Sequence, residues 1–223
     1  MPEAHQCPNL KLALPPSRKP QPILYPYYRV EEERKGVKIA FRGKEIISFA
    51  IGAILVWSVG ASLLGFNLRS YTFYLNSVIF LLAFILHELA HKIAASRNGL
   101  YGEFNLSLWG ATLTLLSIFL PLKVIAPGAV VIFGYTNVEK MGKIAMWGPL
   151  TNIIIALIML PLMLTTYGRL LAVAFYLNAF IATFNLLPFG ILDGKKIIEW
   201  NKVIWSILFI QSIIYLILGY LKI

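Results

Sequence analysis

The sequence predicts an all-α polytopic membrane protein with about six membrane segments and a re-entrant or irregular region between the second and the fourth. Three observations predict it. Of 223 residues, 58% are hydrophobic. Only 13% are charged, about half the share of an average soluble domain. The mean hydropathy of +0.73 comes from several separated apolar runs, each near the roughly 20 residues a helix needs to cross hydrocarbon. The net charge of +10 lies mostly between those runs and not in one stripe, which fits membrane topology and argues against a nucleic-acid partner. The single cysteine, Cys7, excludes an intramolecular disulfide and any cysteine-rich metal site.

Taken in order, residues 1 to about 28 carry Pro2, Pro8, Pro15, Pro16, Pro20, Pro22 and Pro26. These remove backbone donors and predict an extended or disordered segment. Its start is polar, with no basic tip and short apolar core, so insertion is expected to rely on the spans themselves. His5 and Cys7 stand two apart in this tail and make a poor metal site. Residues 29 to 44 bring Arg29, Arg34, Lys35, Lys38, Arg42 and Lys44, as expected at a cytoplasmic face. The chain is thus divided at 1–44, a Pro-rich and basic cytoplasmic segment, and 45–223, a transmembrane domain.

Hydropathy puts spans at about 45–66, 71–96, 142–166, 169–188 and 203–221. Lys and Arg gather before the first span, at Lys92 and Arg97, at Lys140 and Lys143, and at Lys195, Lys196 and Lys202, while the opposite loops hold Arg69, Arg169 and Lys222. By the positive-inside rule the N-terminus is cytoplasmic and span two ends inside. A tight turn at Tyr167-Gly168 makes the third and fourth of these spans antiparallel neighbours. Residues 98–141 must then leave and return. Gly99, Gly102, Gly110, Pro121, Pro127, Gly128 and Gly134 interrupt this stretch, and irregular backbone at membrane depth survives only where protein or water satisfies it. Two readings follow: a re-entrant excursion lining a cavity, or one helix over 105–122 with an extended return.

Span two contains His87-Glu88-Leu89-Ala90-His91. A helical separation of four puts both imidazoles on one face, able to grip one zinc ion, with Glu88 beside that face. Zinc lowers the pKa of a bound water, and the adjacent carboxylate can take its proton during attack on a carbonyl carbon. H-E-x-x-H arises by chance in roughly one in a hundred chains of this length at average residue frequencies. Ionisable groups at membrane depth are costly and mark functional sites. Catalytic zinc normally takes three protein ligands and keeps one position open. The carboxylates nearest a cytoplasmic-side site are Glu103, Glu139, Asp193 and Glu199. Asp193 follows a span that ends beside span two, in FNLLPFGILDGKK, where Pro188 stops the helix and Gly190 and Gly194 permit tight turns. An aspartate before glycine is also an ordinary turn residue.

These residues resemble the site-two protease family of intramembrane zinc metalloproteases over about residues 45–200. HELAH at 87–91 is similar to the family's zinc-binding helix, GPLTN at 148–152 to its G-P-x-x-N helix start, and NLLPFGILDG at 185–194 to its N-x-x-P-(x)n-D-G segment. The resemblance implies one Zn2+ per chain held by His87, His91 and Asp193, with Glu88 catalytic. It implies that Asn185 helps hold the substrate strand or the developing oxyanion. Gly148, Pro149 and Asn152 are read as structural, serving close helix approach and polar contact between helices. Lys195 stands where the family often has a second glycine, and the chain shows no PDZ-like or cystathionine-synthase-type regulatory domain.

The function expected is hydrolysis of peptide bonds within or near the transmembrane segments of membrane-protein substrates, in the plasma membrane of a prokaryote with the active-site side cytoplasmic. The lipid bilayer is the other expected partner. A metal transporter or ion-binding channel would use the same intramembrane groups as a transit site, but has no need of Glu88 as a base. A catalytically silent membrane-binding protein would survive loss of the whole site.

Overall fold

A computed structural model describes residues 41–222 apart from 64, 66–68 and 164–167. The expectations for residues 1–40, His5 and Cys7 included, lie outside the described residues. So does Tyr167 of the predicted turn.

Among the described residues, seven helices and two short strands follow in the order α1 (Gly43–Leu63), α2 (Tyr71–Arg97), β1 (Tyr101–Leu106), α3 (Leu108–Ser117), β2 (Gly128–Phe133), α4 (Val138–Leu162), α5 (Gly168–Asn185), α6 (Asp193–Trp200) and α7 (Lys202–Tyr220). Four of them, α1, α2, α4 and α7, are long and apolar enough to cross a membrane, and α3 and α5 are shorter apolar helices. Their outward surfaces carry large apolar side chains, among them Ile54, Leu82, Leu157 and Ile210. The interior holds polar ones, including Asn76, His87, Glu88, Asn152 and Asn178. A soluble bundle would show the reverse; a bundle solvated by lipid has this arrangement. The chain is a mostly helical membrane protein.

The 98–141 region combines features of the two sequence readings and adds a sheet that neither contained. Strands β1 and β2 pair antiparallel, Tyr101 opposite Phe133 through Leu106 opposite Gly128, with α3 between them. At one end, the Phe104 amide donates to Glu45 Oε1 (3.1 Å) near the start of α1. At the other, Ser62 Oγ near the end of α1 donates to the Ile118 carbonyl (2.6 Å) and accepts from Lys123 Nζ (2.6 Å). Residues 45 and 62 are 62 − 45 = 17 positions apart on one helix, about 26 Å at 1.5 Å per residue. The excursion therefore follows α1 for most of its length and comes back.

Its exposed backbone ends are satisfied internally. Lys123 Nζ donates to the carbonyls of Ser117, Ile118 and Leu120 (3.2, 3.1 and 2.8 Å) beyond the end of α3, where a cation also suits the negative end of the helix dipole. Ser107 caps the start of α3 by accepting from the Gly110 amide. Glycine is required at Gly110 and Gly128 because a Cβ there would run into the backbone oxygens of Ala126 and Asn105.

Two apolar clusters pack the interior. One joins α1, α2 and the sheet through Val56, Phe80, Phe84, Phe104 and Ile132. The other joins α4, α5, α6 and α7 through Ala156, Phe175, Leu186, Ile197 and Tyr215. The polar site lies between them, on α2, α4 and α6.

Candidate metal centre

His87 and His91 stand one turn apart on α2 and are almost wholly buried, as is Asp193 at the start of α6. One ligand atom from each lies within 4.8 Å of the others. His87 Nε2 and His91 Nε2 are 3.1 Å apart. Asp193 Oδ2 lies 3.3 Å from the first and 2.9 Å from the second.

Hydrogen bonds on the far side of each ring decide what those atoms carry. His87 Nδ1 is 2.6 Å from Asn152 Oδ1. The Asn152 amide is oriented by its own donors, since Nδ2 gives to the Ala83 carbonyl (3.1 Å) and to Asn178 Oδ1 (3.0 Å). Asn178 Nδ2 in turn gives to the Ala174 carbonyl (2.9 Å). Asn152 Oδ1 can only accept, so His87 Nδ1 holds the proton. His91 Nδ1 likewise faces the Ile144 carbonyl at 3.1 Å and must donate. Both Nε2 atoms then present lone pairs to each other and to a carboxylate oxygen. Such a cluster repels itself unless a cation sits within it.

The donor set fits zinc. With bonds of 2.0–2.1 Å, a tetrahedral zinc site has ligand-to-ligand edges of about 3.3 Å, and two imidazoles with one carboxylate form a familiar three-ligand set with one position open. Imidazole N–H groups anchored to an amide or carbonyl oxygen fix the ring and raise ligand basicity.

Small residues make the room. A Cβ built on Gly148 would overlap His91 Nε2 and stand 2.6 Å from His87 Nε2. The sequence reading of Gly148 as close helix packing is thereby sharpened, because the space a side chain would take is the space between the ligands. Pro149 sits inside α4 and has no amide to give to the Ala145 carbonyl, one residue beyond the Ile144 carbonyl that receives His91. Asn152, also read as structural, contacts a candidate ligand directly.

Gly194 differs from its expected part. It lies in α6, not in a turn, and a Cβ there would strike the Leu186 carbonyl. Its lack of a side chain lets the start of α6 press against the end of α5. Gly190, at φ +64°, does serve the turn. Trp205 Nε1 of α7 donates to the same Leu186 carbonyl (2.8 Å), and Trp200 covers Gly142 of α4. Asp193 is thus supported from α4, α5 and α7 together.

Glu88 is buried, and its Oε2 has no hydrogen-bond partner among the described residues. It lines a cavity of about 30 Å³ with His91, Asp193, Asn185, Lys196 and Pro127 to Val130, room for one or two waters. Asn185 reaches this cavity while its Nδ2 donates to the Ile181 carbonyl (3.0 Å). The remaining carboxylates weighed as third ligands, Glu103, Glu139 and Glu199, are outside the cluster. Sequence reasoning passed over Asn178 and the site role of Lys196, whose Nζ is 3.3 Å from Asp193 Oδ1. Lys196 had been counted only as topological charge.

The chain is 35% identical over 185 residues to "Putative zinc metalloprotease MJ0611" of Methanocaldococcus jannaschii, spanning 79% of this chain and 95% of that protein. No protein-family model matches the chain. No solved structure matches it.

Proposed function

The chain belongs to the zinc metalloprotease family of this Methanocaldococcus jannaschii relative, and from that premise we propose that it is an intramembrane protease of the site-two type. The observation that carries the reading is the convergence of His87, His91 and Asp193 beside Glu88, whose Oε2 is buried with no hydrogen-bond partner among the described residues, inside a bundle of apolar helices.

When bound, zinc would supply Lewis acidity to a water molecule and to the peptide carbonyl. His87, His91 and Asp193 would hold the ion. Glu88 takes the proton of the attacking water and delivers it to the leaving amide nitrogen, the general-base and general-acid halves of one exchange. The bare Oε2 of Glu88 leaves that proton position open. Asn185, at the cavity wall, is the side-chain amide available to a substrate oxygen.

The substrate is a transmembrane segment of another protein. A helix hides its carbonyls in its own hydrogen bonds, so the segment must unwind before a peptide bond is reachable. Strand β2 supports this step. It lines the cavity and has β1 as its sole partner among the described residues, so its other edge offers backbone groups to an extended chain. Helix-breaking residues in the substrate would help. The basic flanks Arg97, Lys140, Lys143, Lys195 and Lys196 support a cytoplasmic catalytic side by the positive-inside rule.

The test is cleavage of single-span reporters in liposomes by wild type and Glu88→Gln, each assayed for bound zinc. Zinc retained and cleavage lost in the variant is expected. Stoichiometric zinc with no cleavage by wild type would favour transport or silent binding instead.

A further inference from the structure

We propose that the buried Glu45–Lys92 ion pair is a clamp that sets the height of strand β2 against the metal-binding helix, and so selects which peptide bond of the substrate is cut. The proposal rests on the protease reading above.

Lys92 directly follows His91 on α2, and its side chain is 4% exposed against 0% for Glu45. Glu45 Oε1 receives the Lys92 ammonium and also the Phe104 amide of β1 (3.1 Å). Glu45 Oε2 accepts from the Arg42 amide at 3.4 Å. The Lys92 ammonium lies over the Phe41 ring, 4.0 Å from its centroid. One carboxylate thus joins the helix that carries both histidines to β1, the partner of the strand that lines the cavity. A buried pair of this kind contributes little net stability against apolar packing of similar volume. What it does supply is a fixed distance, because each charge loses its oppositely charged partner if the elements slide apart.

That distance reaches the catalytic cavity through one strand. Phe104 pairs with Val130, and Gly128, Ala129 and Val130 line the cavity with Glu88 and His91. Glu45 satisfies the edge of β1 that faces away from β2, so the other edge of the sheet is the open one. The Phe104 ring is wedged between Phe49 and Phe84. A Cβ on Gly52 would touch it at 3.1 Å. Peptide units recur every 3.3 Å or so along a strand. A shift of the sheet by more than about half that spacing brings a neighbouring bond of a segment lying along β2 nearest to Glu88. Glu45 and Lys92 are therefore positioning residues.

The experiment reads the cut itself. Products of one single-span reporter are mapped by mass spectrometry for wild type, Glu45→Asp, the neutral pair Glu45→Gln/Lys92→Met, and Gly52→Ala, which presses the Phe104 ring without touching the charges. Zinc content is measured in each. The share of product cut at the wild-type bond should fall at least twofold, with bonds one or two residues away rising and zinc remaining near wild type. A merely structural pair would lower the rate or the yield and leave the bond unchanged. If the neutral pair does not fold, Glu45→Asp and Gly52→Ala carry the test. Unshifted products from folded, zinc-loaded variants would overturn the clamp alone, whereas no cleavage by wild type would overturn the protease reading and the clamp with it.

Discussion

Replacing Gly148 by alanine adds one methyl group, and the structure says where it goes. The new Cβ would stand 2.6 Å from His87 Nε2 and closer still to His91 Nε2. Ordinary contact needs about 3.6 Å, so α4 and α2 must part by roughly 1 Å, or the imidazoles must turn. Either movement disturbs the hydrogen bonds from His87 to Asn152 and from His91 to Ile144. Overpacking of this kind costs about 1–3 kcal/mol of fold stability. The loss at the metal should be larger than that of one supporting contact, which is about 10–100-fold. We expect zinc affinity to drop at least about 100-fold, close to 2.8 kcal/mol at 1.4 kcal/mol per decade. Competition with a chromophoric chelator measures it, alongside thermal melting of the metal-free protein. Full-strength zinc binding by Gly148→Ala would refute the inference that this glycine clears the space between the ligands.

Other substitutions separate ligand support from chemistry. Asn152→Ala removes the acceptor that fixes the His87 proton and should weaken zinc binding about 10–100-fold; the same chelator titration should find Asn152→Asp, which keeps an acceptor, nearer to wild type. Gly194→Ala drives a methyl into the Leu186 carbonyl and should displace Asp193, reducing bound zinc below one per chain by elemental analysis. Glu88→Gln should keep zinc and slow cleavage by about 10²–10⁴, the usual contribution of a positioned acid or base. Asn178→Ala acts one bond further out, through Asn152, and should weaken zinc binding less than Asn152→Ala does.

How much of this was legible in the sequence depends on whether the signal was local. The i, i+4 histidines declare themselves because helical geometry alone puts them together. The apolar runs declare α1, α2, α4, α5 and α7 for a similar reason, and all five lie within a few residues of the hydropathy ranges. Strands β1 and β2 did not. GAVVIF is a six-residue apolar run, and such runs cannot be told from buried helix by periodicity. Its partner lies more than twenty positions away. Asn178 was hidden because its contact with Asn152 depends on the rotation of α5 against α4, which no single helix encodes. Gly148 was noticed for packing, yet only the folded geometry shows that the imidazoles of α2 point at it. Lys92 reads in the sequence as flanking charge, and nothing local marks Glu45, 47 positions away, as its partner.

The most direct test of the account is where the cut falls. Purified wild-type protein in liposomes is given a single-span substrate, and the new termini are sequenced by mass spectrometry, with a zinc chelator as control. The account predicts cleavage at a bond within or at the edge of the membrane-embedded segment, abolished by the chelator and restored by zinc. Cleavage confined to the soluble flanks, or undiminished after zinc removal, would contradict it.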